Sequence, residues 1–318
     1  MPTSISTTAD LAICICTYKR PRLLATCLAS LETQKLPKDL SVVIIVIDND
    51  RDRTAAQVVA EVAHRAPMPV EYVVEERRGI AAARNRAIAA ARARGAKWLA
   101  FIDDDETADP NWVAGLMHSD YADVPVLMGW QILQPPETVP FWYVADADSK
   151  KPNEGQACTA AYTNNVRFSM ALPAAGLKFD ENLGLGGGED SQFFFNAHKQ
   201  GFAIRHTARA ITYETIHPER LTYARQLHRS YWIASANFRK DVTKFGWPYA
   251  TLRRLHTIPL HLLVGTLLVV VSPAGIIFGL KSFKQLALLG GDKLGRGLGR
   301  LVAMFGHVPQ PYAVIDGG

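Results

Sequence analysis

The chain has 318 residues, 48% of them hydrophobic and 20% charged, which is enough apolar material for one large domain or two smaller ones and excludes a disordered chain. Four scattered cysteines exclude a disulfide scaffold. The net charge of +5 is unevenly spread: residues 1–217 hold 22 Lys and Arg against 26 Asp and Glu, and residues 218–318 hold 13 against 4. No nucleic-acid motif accompanies the basic third, which also contains the most apolar segment, so a surface of anionic lipid is the expected partner rather than nucleic acid.

The first residues, MPTSISTTADLAIC, carry no basic region ahead of their apolar run. A cleaved signal peptide is therefore not expected, and reduced thiols are. Four short apolar runs follow: LAICICTY, SVVIIVIDND, PVEYVVEE and KWLAFIDDD. Cys14 and Cys16 alternate in the first and should face one side of a strand. Helix-length stretches at Pro21 to Gln34, Arg53 to Arg65 and Gly79 to Gly95 separate the runs, and this alternation predicts an α/β fold whose sheet is mostly parallel and covered on both faces. Polar residues gather just past the strand ends: Thr17 and Tyr18, then Asp48, Asn49 and Asp50, then Asp103 to Asp105. In such sheets ligands bind outside the carboxyl ends of the strands. No dinucleotide fingerprint or Walker loop occupies these turns.

The stretch KWLAFIDDDETADP sets four carboxylates behind a buried strand, where they repel one another unless a cation or ligand joins them. Taken alone, it also reads as capping chemistry, with Asp109-Pro110 opening a helix. Farther on, GWQILQPPETVPFWY supplies Trp130, Trp142 and Tyr143, flat faces suited to sugar rings or to structural burial. Gly184 to Gly188 precede Glu189, Asp190 and SQFFFNAHKQG, a loop leading into a helix whose positive end keeps the two carboxylates ionised. The same Glu-Asp pair is, by itself, simply a good helix start.

From Leu255 to Leu280 no residue is formally charged. As one helix this run reaches about 39 Å, enough to cross a hydrocarbon core. Pro273 and Gly275 interrupt it, and Arg253, Arg254, Lys281 and Lys284 flank both ends. A hairpin bent near Pro273 or an interfacial element fits the flanks better than a single span. A buried helix pair of a soluble protein passes the same test. The run from Ser282 to Phe305 reads as a basic amphipathic helix on a headgroup surface.

CTYKRP, VIDND, RGIAAARN, FIDDDE, GGGEDSQFF and YETIHPERL follow one another in the order found in family-two inverting glycosyltransferases of the GT-A nucleotide-sugar fold. Over roughly residues 10–240 the chain resembles the bacterial exopolysaccharide branch, including succinoglycan-type glucosyltransferases. The resemblance implies a catalytic domain at 1–245 and a membrane-associated region at 246–318. It implies transfer of a single sugar from a nucleotide sugar, a UDP-sugar foremost, to a polyprenyl-diphosphate-linked glycan at the cytoplasmic face of a bacterial inner membrane. Asp103 and Asp105 form the D-x-D pair for Mg²⁺ or Mn²⁺, oxygen-seeking ions suited to a leaving diphosphate, with Asp104 expected on the opposite side by strand alternation. Thr17, Tyr18, Arg20, Asp48, Arg84 and Asp103 fall on the donor side, with Asp48 placed for a uracil N–H. Without the resemblance, Arg84 and Arg86 are a solvated helix face. Asp190 matches the base, with Glu189 orienting the acceptor. Asn165 falls where the family often places an Asn ahead of the catalytic loop. His217, which follows the GGGED segment, is a candidate extra metal or phosphate contact, with a hydrogen-bonded structural His as the alternative. The string QLHRSYW keeps Gln226 and Arg229 of a polymerase signature but has Ser230 in place of Trp, which points to one sugar per acceptor. A nucleotidyltransferase or a non-catalytic scaffold would use the same acidic α/β site.

Overall fold

The computed structural model describes residues 8–140, 143, 150–278, 282–307 and 309–310. Strands β1 (Leu11–Thr17), β2 (Val42–Asp48), β3 (Val70–Val74) and β4 (Trp98–Ile102) alternate with helices α1 (Pro21–Glu32), α2 (Ala56–Ala63) and α3 (Ile80–Ala93). They are followed by β5 (Glu106–Ala108), α4 (Trp112–Leu116), β6 (Val126–Gln134), β7 (Ala157–Cys158), β8 (Asn165–Ser169), α5 (Ala171–Ala174), α6 (Glu189–Lys199) and β9 (Ile204–Thr215). The sheet runs β3-β2-β1-β4-β8-β6-β9-β5, with β7 also on β9. The four strands legible in the sequence form its parallel half. β8 lies antiparallel to β4 and β6, and β5 and β7 antiparallel to β9, so the whole sheet is mixed.

Side chains of β1 divide by their period of two. Leu11, Ile13 and Ile15 pack with Leu24, Leu28 and Trp112 on the face covered by α1, α2 and α4. Ala12, Cys14 and Cys16 pack on the α3 face, as expected for the two cysteines. That second face also holds an aromatic stack: Phe179 and Phe193 lie 4.3 Å apart, with Phe168 and Phe194 beside them. Each buried phenyl stabilises the fold by about 1.5–3 kcal/mol, and because Phe193 and Phe194 belong to α6, they fix where the first turn of α6 points. The chain leaves β1 toward β2 on one side and reaches β4 on the other, so the ends of β1 and β4 flank a crevice at the point where the strand order reverses.

Past the sheet come α7 (Tyr223–Phe245), α8 (Trp247–Leu255), α9 (Thr257–Ile277) and α10 (Ser282–Met304). Gly246, at φ 82°, separates α7 from α8. Pro273 lies inside α9 and does not bend the chain back; the reversal comes after Ile277, and the hairpin arms are α9 and α10. α10 carries two glycine faces. A Cβ at Gly295 would lie 2.6 Å from Leu227 O and one at Gly299 2.0 Å from Tyr231 O, so α7 and α10 touch backbone to backbone. Gly290 does the same against Val269 of α9. α10 is thus held between α7 and α9 along its glycine faces. α9 keeps its other side outward, with Leu263 at 72% and Val270 at 69% exposure.

Candidate active site

A cleft of about 860 Å³ opens at the crevice between β1 and β4. Its floor comes from Thr17, Tyr18 and the acidic run 103–106, one wall from α3, and the opposite wall from α7 and α10. Of the residues that the resemblance implies for the donor and metal, it gathers Thr17, Tyr18, Arg20, Arg84, Asp103 and Asp105.

The acidic run is no simple helix cap. Asp104 is buried, accepting a 2.6 Å hydrogen bond from Thr17 Oγ1 and pairing with Arg20 at 3.1 Å. It faces the cleft together with its neighbours, because the strand and its alternation end at Ile102; the expected opposite orientation is corrected. Asp105 meets Arg220 at 3.0 Å and Arg20 at 3.5 Å. Arg220 also reaches Glu214 at 2.8 Å, and Gln131 donates to both Glu106 and Glu214. Burial pushes the Asp103 carboxyl up to about 7, with Arg84 opposing and Asp105 and Asp104 adding to the rise. Burial and Asp105 push Asp104 to about 6 against Arg20 and Thr17. Crowded carboxylates whose ionisation is resisted in this way are short of positive charge, and all their donors are oxygen. That set fits Mg²⁺ or Mn²⁺. Among the described residues no three His, Cys, Asp or Glu side chains close around one point, so the fit is to an ion held by one or two carboxylates with phosphate oxygens completing its shell.

Arg84 crosses from α3 to Glu189, with the Phe179 ring 5.8 Å from its guanidinium. Burial opposes its charge, but Glu189, Asp190 and Asp103 together raise its pKa. The solvated-face alternative holds for Arg86, which is exposed, and not for Arg84. Glu189 is buried with Oε2 unpartnered, and burial raises its pKa. Glu189 and Asp190 open α6 after the left-handed Gly188, behind Arg84 and outside the residues lining the cleft. Asp190 Oδ1 accepts from the Ser191 hydroxyl at 3.2 Å. Lys240 of α7 lies over the same helix start, its pKa lowered by burial while the two carboxylates oppose the shift.

Four further residues have well-defined surroundings. Asp48 is fully buried and does not line the cleft; its oxygens accept from Asp50 N, Ala55 N and Tyr72 OH, which makes it the brace of the turn after β2. Asn165 accepts from Trp112 Nε1 at 2.9 Å and donates to Ala210 O at 3.0 Å, tying the sheet together at a buried point. His217 is exposed, and the residue of its segment that reaches the acids is Arg220. Ser230 donates to Asp292 of α10 at 2.8 Å, and a Cβ on Gly295 would stand 2.7 Å from its Cβ, so the missing Trp is a condition for seating α10. Tyr143 lines the cleft and Trp130 belongs to β6, while Trp142 lies outside the described residues.

Arg220, Glu214, Lys240 and the α10 residues Asp292 and Arg296 were not singled out from the sequence. Arg220 and Glu214 lay within a quoted motif, YETIHPERL; Lys240, Asp292 and Arg296 reach the site through helix packing, which has no local signature.

Residues 12–167 match the family described as Glycosyl transferase family 2. The chain is a glycosyltransferase with a family-2 domain. The enzyme is 29% identical over 240 residues, 74% of each chain, to the succinoglycan biosynthesis protein ExoM of Rhizobium meliloti (strain 1021). Its fold matches residues 1–349 of TarS from S. aureus with a TM-score of 0.53 at 17% identity, covering 97% of this chain and 95% of that one. It spans 55% of a longer TarS chain. It also matches the mannosyltransferase PcManGT from Pyrobaculum calidifontis, solved with GDP-Man and Mn²⁺, with a TM-score of 0.55 at 17% identity, covering 90% and 87%. These likenesses show the GT-A fold.

Proposed function

We propose that the glycosyltransferase moves one sugar from a UDP-sugar to a lipid-linked glycan, with inversion, in polysaccharide biosynthesis at the cytoplasmic face of a bacterial inner membrane. The observation that carries this reading is a cleft that joins a buried carboxylate cluster and donor-side arginines to a wall made by α7 and by α10, the helix packed against the apolar α9. ExoM is named for succinoglycan biosynthesis, TarS has been solved with UDP and with UDP-GlcNAc, and PcManGT with a nucleotide sugar and Mn²⁺. Extending those properties to this chain accounts for its residue types.

In the proposed step the acceptor hydroxyl oxygen bonds to the anomeric carbon as the bond from that carbon to the diphosphate breaks. The electron pair leaves on the diphosphate oxygen, and the hydroxyl proton passes to Asp190. Asp103 and Asp105 would hold a divalent cation, which would neutralise charge on that leaving group. Arg20 and Tyr18 are placed to face the nucleotide and diphosphate, and Thr17 acts by fixing Asp104. Arg84 holds Glu189 in place at the start of α6 and thereby sets Asp190, the base.

A panel of UDP-, GDP- and dTDP-sugars with Mn²⁺ or Mg²⁺ and lipid-linked acceptors tests this directly. Metal-dependent release of UDP from one donor is expected, with Asp190→Asn lowering transfer by about 10²–10⁴-fold while UDP binding persists. Metal-independent release, or full transfer by the variant, overturns the reading.

The hairpin has its own test. The stretch Trp247–Gly275 is long and apolar enough to cross a membrane, with only 17% of its most apolar window buried, and α9 alone is about 32 Å long. Lys at position 263, 267 and 270 together (Leu263→Lys, Leu267→Lys, Val270→Lys) should release the protein from the membrane fraction, since each charge in a hydrocarbon layer costs about 2.5–3.5 kcal/mol. Unchanged sedimentation with membranes would make α9 a surface helix of another kind.

A further inference from the structure

Arg220 follows the last long strand, in the short 3-10 turn Pro218–Arg220 that leads into α7. Its two terminal nitrogens are divided between Asp105 Oδ2 at 3.0 Å and Glu214 Oε1 at 2.8 Å. The same Asp105 oxygen also lies 3.5 Å from Arg20. Both guanidiniums thus use the carboxylate that is best placed to hold a divalent cation. A cation binding through that oxygen forfeits the Arg220 fork, and a charged guanidinium left beside it repels the ion. A diphosphate in the cleft reverses the balance, because it offers the displaced fork a second planar array of anionic oxygens.

We propose that Arg220 is an exchangeable counter-ion: it neutralises Asp105 and Glu214 until cation and nucleoside diphosphate arrive together, then passes to the diphosphate. The exchange couples the two ligands. The cation alone competes with Arg220, the diphosphate removes the competitor, and by reciprocity the cation tightens the diphosphate by the same factor. Arg220 is therefore a positioning residue that makes the site take a metal–diphosphate pair in preference to free metal. This inference rests on the metal-dependent reading above.

The test measures free Mn²⁺ by its electron paramagnetic resonance signal as the full chain in detergent is titrated with Mn²⁺, with and without UDP. In the unaltered protein UDP should tighten Mn²⁺ binding by about tenfold or more. Arg220→Gln should bind Mn²⁺ alone about tenfold more tightly, and the UDP enhancement should shrink by about the same factor, to what the phosphate oxygens contribute by direct ligation. Arg220→Lys, which keeps the charge but loses the fork, should bind free Mn²⁺ as weakly as the parent and show a reduced UDP effect, and this guards against a Gln variant that misfolds. Mn²⁺ affinity unchanged in Arg220→Gln, with UDP coupling intact, overturns the exchange while leaving metal-dependent donor binding standing. Failure of the unaltered protein to bind Mn²⁺ even with UDP overturns both.

Discussion

Replacing Asp105 with Ala should cut sugar transfer by about 10²–10³-fold while changing stability by no more than about 1 kcal/mol. The two halves of that expectation have separate causes. Asp105 sits among Asp103, Asp104 and Glu214, and it is one of the charges that raise the pKa of Asp103, Asp104 and Glu214. Its removal relieves repulsion even as Arg20 and Arg220 lose a partner, and both arginines keep another carboxylate, Asp104 and Glu214 respectively. The folded state is nearly indifferent to the change. The transition state is not, because the leaving diphosphate gathers negative charge where the cation-holding oxygen used to be. Steady-state transfer assays beside thermal melts decide the matter. A loss of transfer that merely tracks a fall in melting temperature would make Asp105 a structural residue.

Arg84→Met should do the opposite, lowering stability by about 3–5 kcal/mol. Glu189 is buried, Arg84 is its ion-pair partner, and its Oε2 already lacks a hydrogen bond. Without the guanidinium, the carboxylate either stays charged in an apolar setting or takes up a proton. The sign of the pH dependence follows from that choice. Burial holds the Glu189 pKa above its unfolded value, and Arg84 is what opposes the rise. Losing Arg84 raises it further, and it removes the same restraint from Asp103. An acid whose folded pKa is raised binds its proton more tightly in the native state, so its stabilisation is present in full below the unfolded pKa and is lost as pH climbs through the folded one. The deficit of Arg84→Met relative to the parent should therefore be larger at pH 8 than at pH 5 in urea unfolding. An equal deficit at both would show that packing, and not charge, is what Arg84 supplies.

The parallel half of the sheet was legible because its strands are continuous apolar runs, such as VVIIVID, separated by helices of ordinary length. The other half was not: β6 and β9 are long but mixed in polarity, and β8 is short and carries a buried arginine, Arg167, held by Trp98 and two carbonyls. Within the site, the residues at strand ends could be placed by chain position alone. Asp48 shows the limit of that inference, since a carboxylate at a strand end can face the turn it closes as easily as the cleft beside it. The packing of the C-terminal third was illegible for a different physical reason. Hydrophobicity ranks the glycines of GGDKLGRGLGR as neutral, yet their lack of a side chain is what lets α10 lie directly on α7. Periodic polarity indicated a helix there, and only close packing reveals where it goes.

That packing bears on how the enzyme can be handled. Trimming the apolar tail at the end of α7 is a common way to obtain a soluble catalytic fragment. Here the cut would take away Leu288, Asp292 and Arg296, which face the reaction chamber, and strip the cover from Ser230. The apolar α9 and the chamber-closing α10 are packed along their length, so a more water-soluble version would have to be made by repainting the outer surface of α9 rather than by shortening the chain.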